Sequence, residues 1–243
     1  MERWFEIIEA EHQLQNPTSA DKIRLLGETL RLDSTCHVLD MGAGQAGPAI
    51  LLAHEFGCRV TAVERSESFV TVARRRVQRA GVDGLVTLVQ ADGSRFSIDD
   101  DQYDSALCLG ASFIWGGLEP TVGVLSRGVR SGGFVVVGEP YWRRWPLPTG
   151  YEPEEGYEFA SLSETATRFE SAGIELITLI ASSEDDWDRY VSKQWSSLER
   201  WLREDPDAPE AEGFRTMGRD ERDLYLRWHR DLLGWAIFVG RKS

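Results

Sequence analysis

HVLDMGAGQAGP, residues His37 to Pro48, decides the fold. HVLDM reads as a short buried strand. It runs into a glycine-rich turn, and Pro48 suits the first turn of the helix that follows. Gly42 and Gly44 let backbone approach a ligand, and the unpaired N–H groups of a helix N-terminus face whatever anionic group sits there. A strand, such a loop and a helix together predict a nucleotide-type binding corner. Gly42, Gly44 and Gly47 also spell GxGxxG, the fingerprint of dinucleotide sites, so a nicotinamide-dependent oxidoreductase is a competing reading.

Outward from this stretch the chain alternates strand and helix. A helix to about Phe56 precedes the apolar strand CRVTAVE. A helix from Ser66 carries Phe69, Val70, Ala73, Val77 and Ala80 on one stripe, and LVTLVQAD forms a third strand. Continuous apolar strands separated by amphipathic helices predict a parallel sheet covered on both faces. Polar residues fall at the strand ends, where such sheets bind ligands. Asp40 closes the first strand. Glu64 closes the second, 20 residues after Gly44, where a carboxylate can accept both hydroxyls of a ribose. Asp92 closes the third, with Gly93 and Ser94 behind it, placed to receive the exocyclic amine of an adenine.

The segments VLDMGAG, TAVERS, QADGSRF, YDSALCLGASF and RSGGFVVVGEPYW, spanning residues 36 to 142, resemble the successive motifs of class I S-adenosylmethionine-dependent methyltransferases. The chain is similar to the small-molecule branch near the ubiquinone and menaquinone methyltransferases. It is most similar to uncharacterised bacterial members sharing GEPYW, WDRY and the HxxxNP of His12 to Pro17. The resemblance implies an α/β, Rossmann-like seven-stranded sheet, mostly parallel with the last strand antiparallel, and helices on both faces. It implies S-adenosylmethionine as cofactor and S-adenosylhomocysteine as product. Asp40, Gly42 and Gly44 would line the methionine portion, Glu64 would hold the ribose with Arg65 beside the adenine, Asp92 and Gly93 would contact the adenine edge, and Leu109 would sit near the sulfonium. Gly47 departs from the family pattern and keeps the nicotinamide reading open. Dinucleotide folds, however, usually have an apolar residue where Asp40 stands.

The fourth strand narrows the acceptor. CLGA replaces the Asn/Asp-Pro-Pro-aromatic motif of amino-directed DNA methyltransferases, and no Pro-Cys pair is present for attack on cytosine. The strand does not end in an acid that could hold Mg²⁺, so a metal-independent site is expected. With 40 acidic against 27 basic residues the formal charge is −13, which disfavours nucleic acid and anionic membrane as partners. A small-molecule substrate is expected, with Trp115, Tyr141 and Trp142 lining its pocket. Glu139, at the end of the fifth strand, and His12 are the candidate general bases. A non-catalytic S-adenosylmethionine-binding protein is the third reading.

The remaining elements read as additions around one domain, residues 1–243. Residues 1–32 form N-terminal lid helices, the first over residues 3 to 14 and the second opening on a Thr18–Asp21 capping box. Residues 36–183 form the cofactor-binding core. Residues 184–231 form a helical cap inserted before the last strand, 232–243, and carry the stripe Trp187, Val191, Trp195, Leu198 and Leu202 at helical spacing. WRRWPLPTGYEPEEGYEF reads as a flap over the site. Cys36, Cys58 and Cys108 lie in or beside apolar runs and read as reduced core residues. The opening residues do not form a basic leader with an apolar run, and no apolar stretch reaches bilayer-spanning length, so a cytoplasmic protein is expected. Nothing in the pattern sets the oligomeric state.

Overall fold

The computed structural model describes residues 2–153 and 159–243. Its centre is a seven-stranded sheet of β1 (His37–Met41), β2 (Arg59–Glu64), β3 (Val86–Gln90), β4 (Tyr103–Leu109), β5 (Val129–Trp142), β6 (Glu175–Ala181) and β7 (Leu233–Arg241), in the order β3-β2-β1-β4-β5-β7-β6. β7 runs antiparallel to both its neighbours, β5 and β6, and the pairings from β3 across to β5 are parallel. The order reverses at β1, which has β2 on one side and β4 on the other. Connections leave in opposite directions there, so the carboxyl ends of β1 and β4 open a crevice.

Alternation along the strands explains why both faces are covered. On β1, Val38 packs on one side of the sheet and Leu39 and Met41 on the other; on β7, Ile237 and Val239 oppose Ala236 and Phe238. Successive side chains point to opposite faces, and each set needs its own helical layer. The first layer holds Ile23 and Leu26 of α2 (Ala20–Thr29), Ala49 and Leu52 of α3 (Gly47–Phe56) and Ala73 and Val77 of α4 (Glu67–Ala80). The second holds Val122 and Leu125 of α5 (Leu118–Gly128) and Phe169 of α6 (Leu162–Ser171).

The N-terminal segment differs from its sequence reading. The first helix, α1 (Glu2–Ile8), stops well short of residue 14. Residues 12–19 are irregular, and Ser19, not Thr18, caps α2 by accepting from the Lys22 N–H at 3.3 Å. α1 buries Trp4, Ile7 and Ile8 against Leu198 of α7 (Glu184–Glu204). Burying side chains of that size contributes about 1.5–3 kcal/mol each, enough to fix a short helix that has little stability of its own. The insertion before β7 therefore props the N-terminal segment. It comprises α7, α8 (Ala211–Leu224), a π-helical turn (Tyr225–His229) and a last helical turn (Arg230–Leu232).

α7 begins with a capping box: Ser183 Oγ accepts from the Asp186 N–H at 3.1 Å, and the Asp186 carboxylate accepts from the Ser183 N–H at 2.7 Å. Asp186 also pairs with Lys22 of α2. Of the expected flap, residues 154–158 lie outside the described residues. Its described Tyr151 turns to His229, with the hydroxyl 2.9 Å from Nε2. Ser183→Ala removes the cap and should lower the unfolding free energy by about 1 kcal/mol, read by urea denaturation; an unchanged midpoint would remove the box from the account of α7.

Candidate active site

The reversal point in the sheet carries a cavity of about 690 Å³, within the range that holds small ligands and cofactors. Its floor is the carboxyl edge of β1, β2 and β4, and its roof comes from the N-terminal segment and α7. All eight residues expected to contact the cofactor, Asp40, Gly42, Gly44, Glu64, Arg65, Asp92, Gly93 and Leu109, border it.

Asp40 ends β1 between two parallel neighbours and is 2% exposed. Its Oδ2 has no hydrogen-bond partner. Burial, with Glu64's charge adding to it, pushes its carboxyl up to about 7. Glu64 holds the glycine loop in place: Oε2 accepts from the Gly44 N–H at 2.9 Å and Oε1 from the Ser66 N–H at 2.7 Å. Asp92 accepts from the N–H and hydroxyl of Ser94 at 3.0 and 2.7 Å, and these bonds hold its carboxyl below the usual range.

The N-terminal segment lies directly on the loop. Gln15 Oε1 accepts from the Gln45 N–H at 2.6 Å, and Asn16 Nδ2 donates to the Leu109 carbonyl at 3.0 Å. A Cβ on Gly44 would overlap the Gln15 side chain, and one on Gly47 would overlap the Gln13 carbonyl. Gly47 is thus required by the backbone of the roof, which removes its force as a dinucleotide signal. Gln15, Glu9, Phe5 and Tyr190 also border the cavity. Sequence reading did not assign them to the site; the signals near them were HxxxNP, which contains Gln15, and WDRY, which ends in Tyr190.

The five expected catalytic and substrate residues lie elsewhere. His12 is buried behind the roof, with Nε2 3.0 Å from the Tyr190 carbonyl and Nδ1 3.4 Å from Glu9 Oε2. Glu139 lies on β5, outside the residues that border the cavity. Burial raises its carboxyl to about 7, with Glu119's charge adding and the Ser112 hydroxyl opposing. Trp115 closes the 3-10 turn Ser112–Trp115. The turn presents Phe113 and Ile114 to the cavity and packs Trp115 against the α5 and α6 layer. Tyr141 and Trp142 sit where β5 pairs with β7, at Gly234 and Leu233, away from the reversal point. Tyr141 joins the α5 layer, and Trp142 stacks among Tyr151, Phe159 and His229.

A mostly parallel sheet with a buried acid, a glycine loop and acids at successive strand ends is the arrangement of a nucleotide-type binding site. Residues 38–133 match the family model described as a methyltransferase domain. An S-adenosylmethionine-dependent methyltransferase from Geobacter sulfurreducens, crystallised with S-adenosylhomocysteine, is 32% identical, with a TM-score of 0.91 over 99% of this chain and 98% of that one. Its counterpart from Thiobacillus denitrificans, also with S-adenosylhomocysteine, is 31% identical, with a TM-score of 0.90 and the same coverage. The uncharacterized protein YjhP of Escherichia coli is 29% identical over 241 residues, covering 98% of this chain and 97% of its own.

The chain belongs to the class I S-adenosylmethionine-dependent methyltransferases. Its cofactor is S-adenosylmethionine, which answers the nicotinamide alternative. Among the described residues there is no group of three or more His, Cys, Asp or Glu that could hold a metal ion, and no helix is long and apolar enough to cross a membrane. The described cysteines Cys36, Cys58 and Cys108 are free and buried.

The raised Asp40 pKa has a thermodynamic sign. Between the ordinary carboxyl value of about 4 and about 7, the unfolded chain has lost a proton that the native state keeps. Stability therefore falls as pH rises through that window. Chemical denaturation across pH 4–7 should give a smaller decline for Asp40→Asn than for the wild type; parallel curves would place Asp40's ionisation elsewhere.

Proposed function

We propose that the protein transfers the methyl group of S-adenosylmethionine to a small-molecule acceptor, without a metal ion, and that residues 1–243 act as one catalytic domain. The observation that carries this reading is the roofed cavity. Beyond the strand-end acids it continues to Phe5, Glu9, Phe113, Ile114 and Tyr190, a chamber suited to a small acceptor. The −13 charge supports the same exclusion of nucleic acid.

In this reading the unpartnered Oδ2 of Asp40 receives the α-ammonium of the methionine portion, with Gly42 and Gly44 allowing the close approach. Glu64 accepts the ribose hydroxyls on lone pairs left after its bonds to Gly44 and Ser66. Asp92 accepts from the adenine amine, Gly93 and Arg65 flank the ring, and Leu109 borders the sulfonium. Bound S-adenosylmethionine supplies an electrophilic methyl group on a positively charged sulfur, with a neutral thioether as leaving group. The chain's part is to align the acceptor in line with that methyl and to exclude water. Alignment of this kind lowers a barrier by roughly 7–11 kcal/mol. Gln15 and Asn16, bonded across the loop and β4, serve the exclusion. His12 and Glu139 do not border the cavity, so neither is assigned as its general base.

The test is an S-adenosylhomocysteine-release assay with small metabolites, protein and nucleic acid offered separately. Release is expected with small metabolites alone; release with a polymer alone would overturn the reading. Glu64→Ala should weaken S-adenosylhomocysteine binding by about 2–3 kcal/mol in calorimetric titration, and an unchanged affinity would remove Glu64 from the ribose.

A further inference from the structure

Among the described residues bordering the cavity, one carboxylate is left over once the cofactor is placed. Asp40, Glu64 and Asp92 are committed to it in the reading above. Glu9 comes instead from the N-terminal segment, borders the same cavity and is 3% exposed. A carboxylate buried to that degree is costly unless both oxygens meet donors. Oε1 does, because the Tyr190 hydroxyl and the Gln194 amide each donate to it at 2.8 Å. Oε2 has no hydrogen-bond partner.

His12 does not repair this in its neutral form. Its Nε2 is 3.0 Å from the Tyr190 carbonyl, which can only accept, so the ring proton sits on Nε2. Nδ1, 3.4 Å from Glu9 Oε2, then presents a lone pair to a carboxylate. In that form two acceptors face each other.

The surroundings favour a cation. Among the described residues bordering the cavity, the acids Glu9, Asp40, Glu64 and Asp92 face a single base, Arg65. Phe113 and Phe5 border it while 76% and 47% exposed, large rings left uncovered beside a buried acid. With Tyr190 they offer aromatic faces, which attract ammonium groups.

We propose that Glu9 is the acceptor-binding carboxylate of this enzyme, and that the methyl acceptor is a small amine. It binds as its ammonium ion between Glu9 and the rings of Phe5, Phe113 and Tyr190; one N–H proton then passes to the unpartnered Glu9 Oε2, and the freed lone pair takes the methyl group as S-adenosylhomocysteine leaves. The proposal rests on the small-molecule methyltransferase reading. An ammonium brings three N–H donors and a positive charge, whereas an alcohol brings one neutral donor and a carboxylate is repelled by the acidic lining.

Benzylamine is the probe, with benzyl alcohol and benzoate as controls of the same shape, each added at about pH 7.5 to the full chain saturated with S-adenosylhomocysteine. Scanning calorimetry reads Tm. Benzylamine at roughly ten times its Kd should raise Tm by about 3 °C or more, and the two controls at the same concentration should not. Glu9→Gln should abolish the benzylamine shift while keeping S-adenosylhomocysteine affinity within about threefold. The contrast among the three probes on the wild type stands even if that variant folds poorly. Equal shifts from all three probes, no shift from benzylamine, or a shift unchanged in a folded Glu9→Gln would overturn the proposal. No shift is also what a His12 carrying a second proton, and so closing the pair internally, would give. Failure of S-adenosylhomocysteine itself to raise the wild-type Tm would overturn the cofactor reading instead.

Discussion

The Asp40 carboxylate stands at the end of a central strand with one oxygen lacking a hydrogen-bond partner and Glu64's charge beside it. Sheet topology leaves it little freedom. β1 is flanked by parallel neighbours on both sides, so its last residues can move only if the sheet does. An acid held this way keeps part of its protons at neutrality, and a positive charge brought beside it favours the ionised form. Much of the surrounding structure follows from making that arrival possible. Glu64 spends its oxygens on the Gly44 and Ser66 amides and so fixes the loop beside Asp40. Glycine at 44 and 47 lets the loop lie directly beneath the N-terminal segment.

The roof depends on the far end of the chain. α1 and the irregular residues after it have too few local hydrogen bonds to hold a conformation alone, and they are clamped from α7. Trp4, Ile7 and Ile8 pack on Leu198, Glu11 pairs with Arg200, and Tyr190 and Gln194 bond Glu9. The insertion before β7 thus acts on the site by holding residues 2–17 against the glycine loop, while giving the cavity only Tyr190 of its own. Among the described residues bordering the cavity, the N-terminal segment also brings Glu9, a carboxylate that does not come from a strand end.

The strand-end chemistry was legible in the sequence because it is local. A buried strand, a glycine turn and an acid at each of three strand ends are read within a few residues of one another, and their alternation with helices implies a parallel sheet covered on both faces. The roof side of the cavity was not legible because it is assembled from distant segments. Glu9 and Tyr190 lie 181 residues apart, and no periodicity links them. Aromatic residues near the right strand misled for a related reason. Trp115 follows β4, and Tyr141 and Trp142 end β5, but a 3-10 turn packs the first against the α5 and α6 layer, and β5 runs on past its pairing with β4 so that the other two pair with β7. Gly47 looked like part of a cofactor fingerprint because sequence cannot show that the Gln13 carbonyl lies against it.

We propose that Asp40 exchanges its proton for the ammonium of the cofactor, and calorimetry of S-adenosylhomocysteine binding tests that directly. Titrations at about pH 6.5 in buffers of different ionisation enthalpy measure the protons exchanged on binding. The account predicts net proton release by the wild type and loss of that release, together with most of the affinity, in Asp40→Asn. Binding without proton release, and an Asp40→Asn variant that binds as the wild type does, would contradict it.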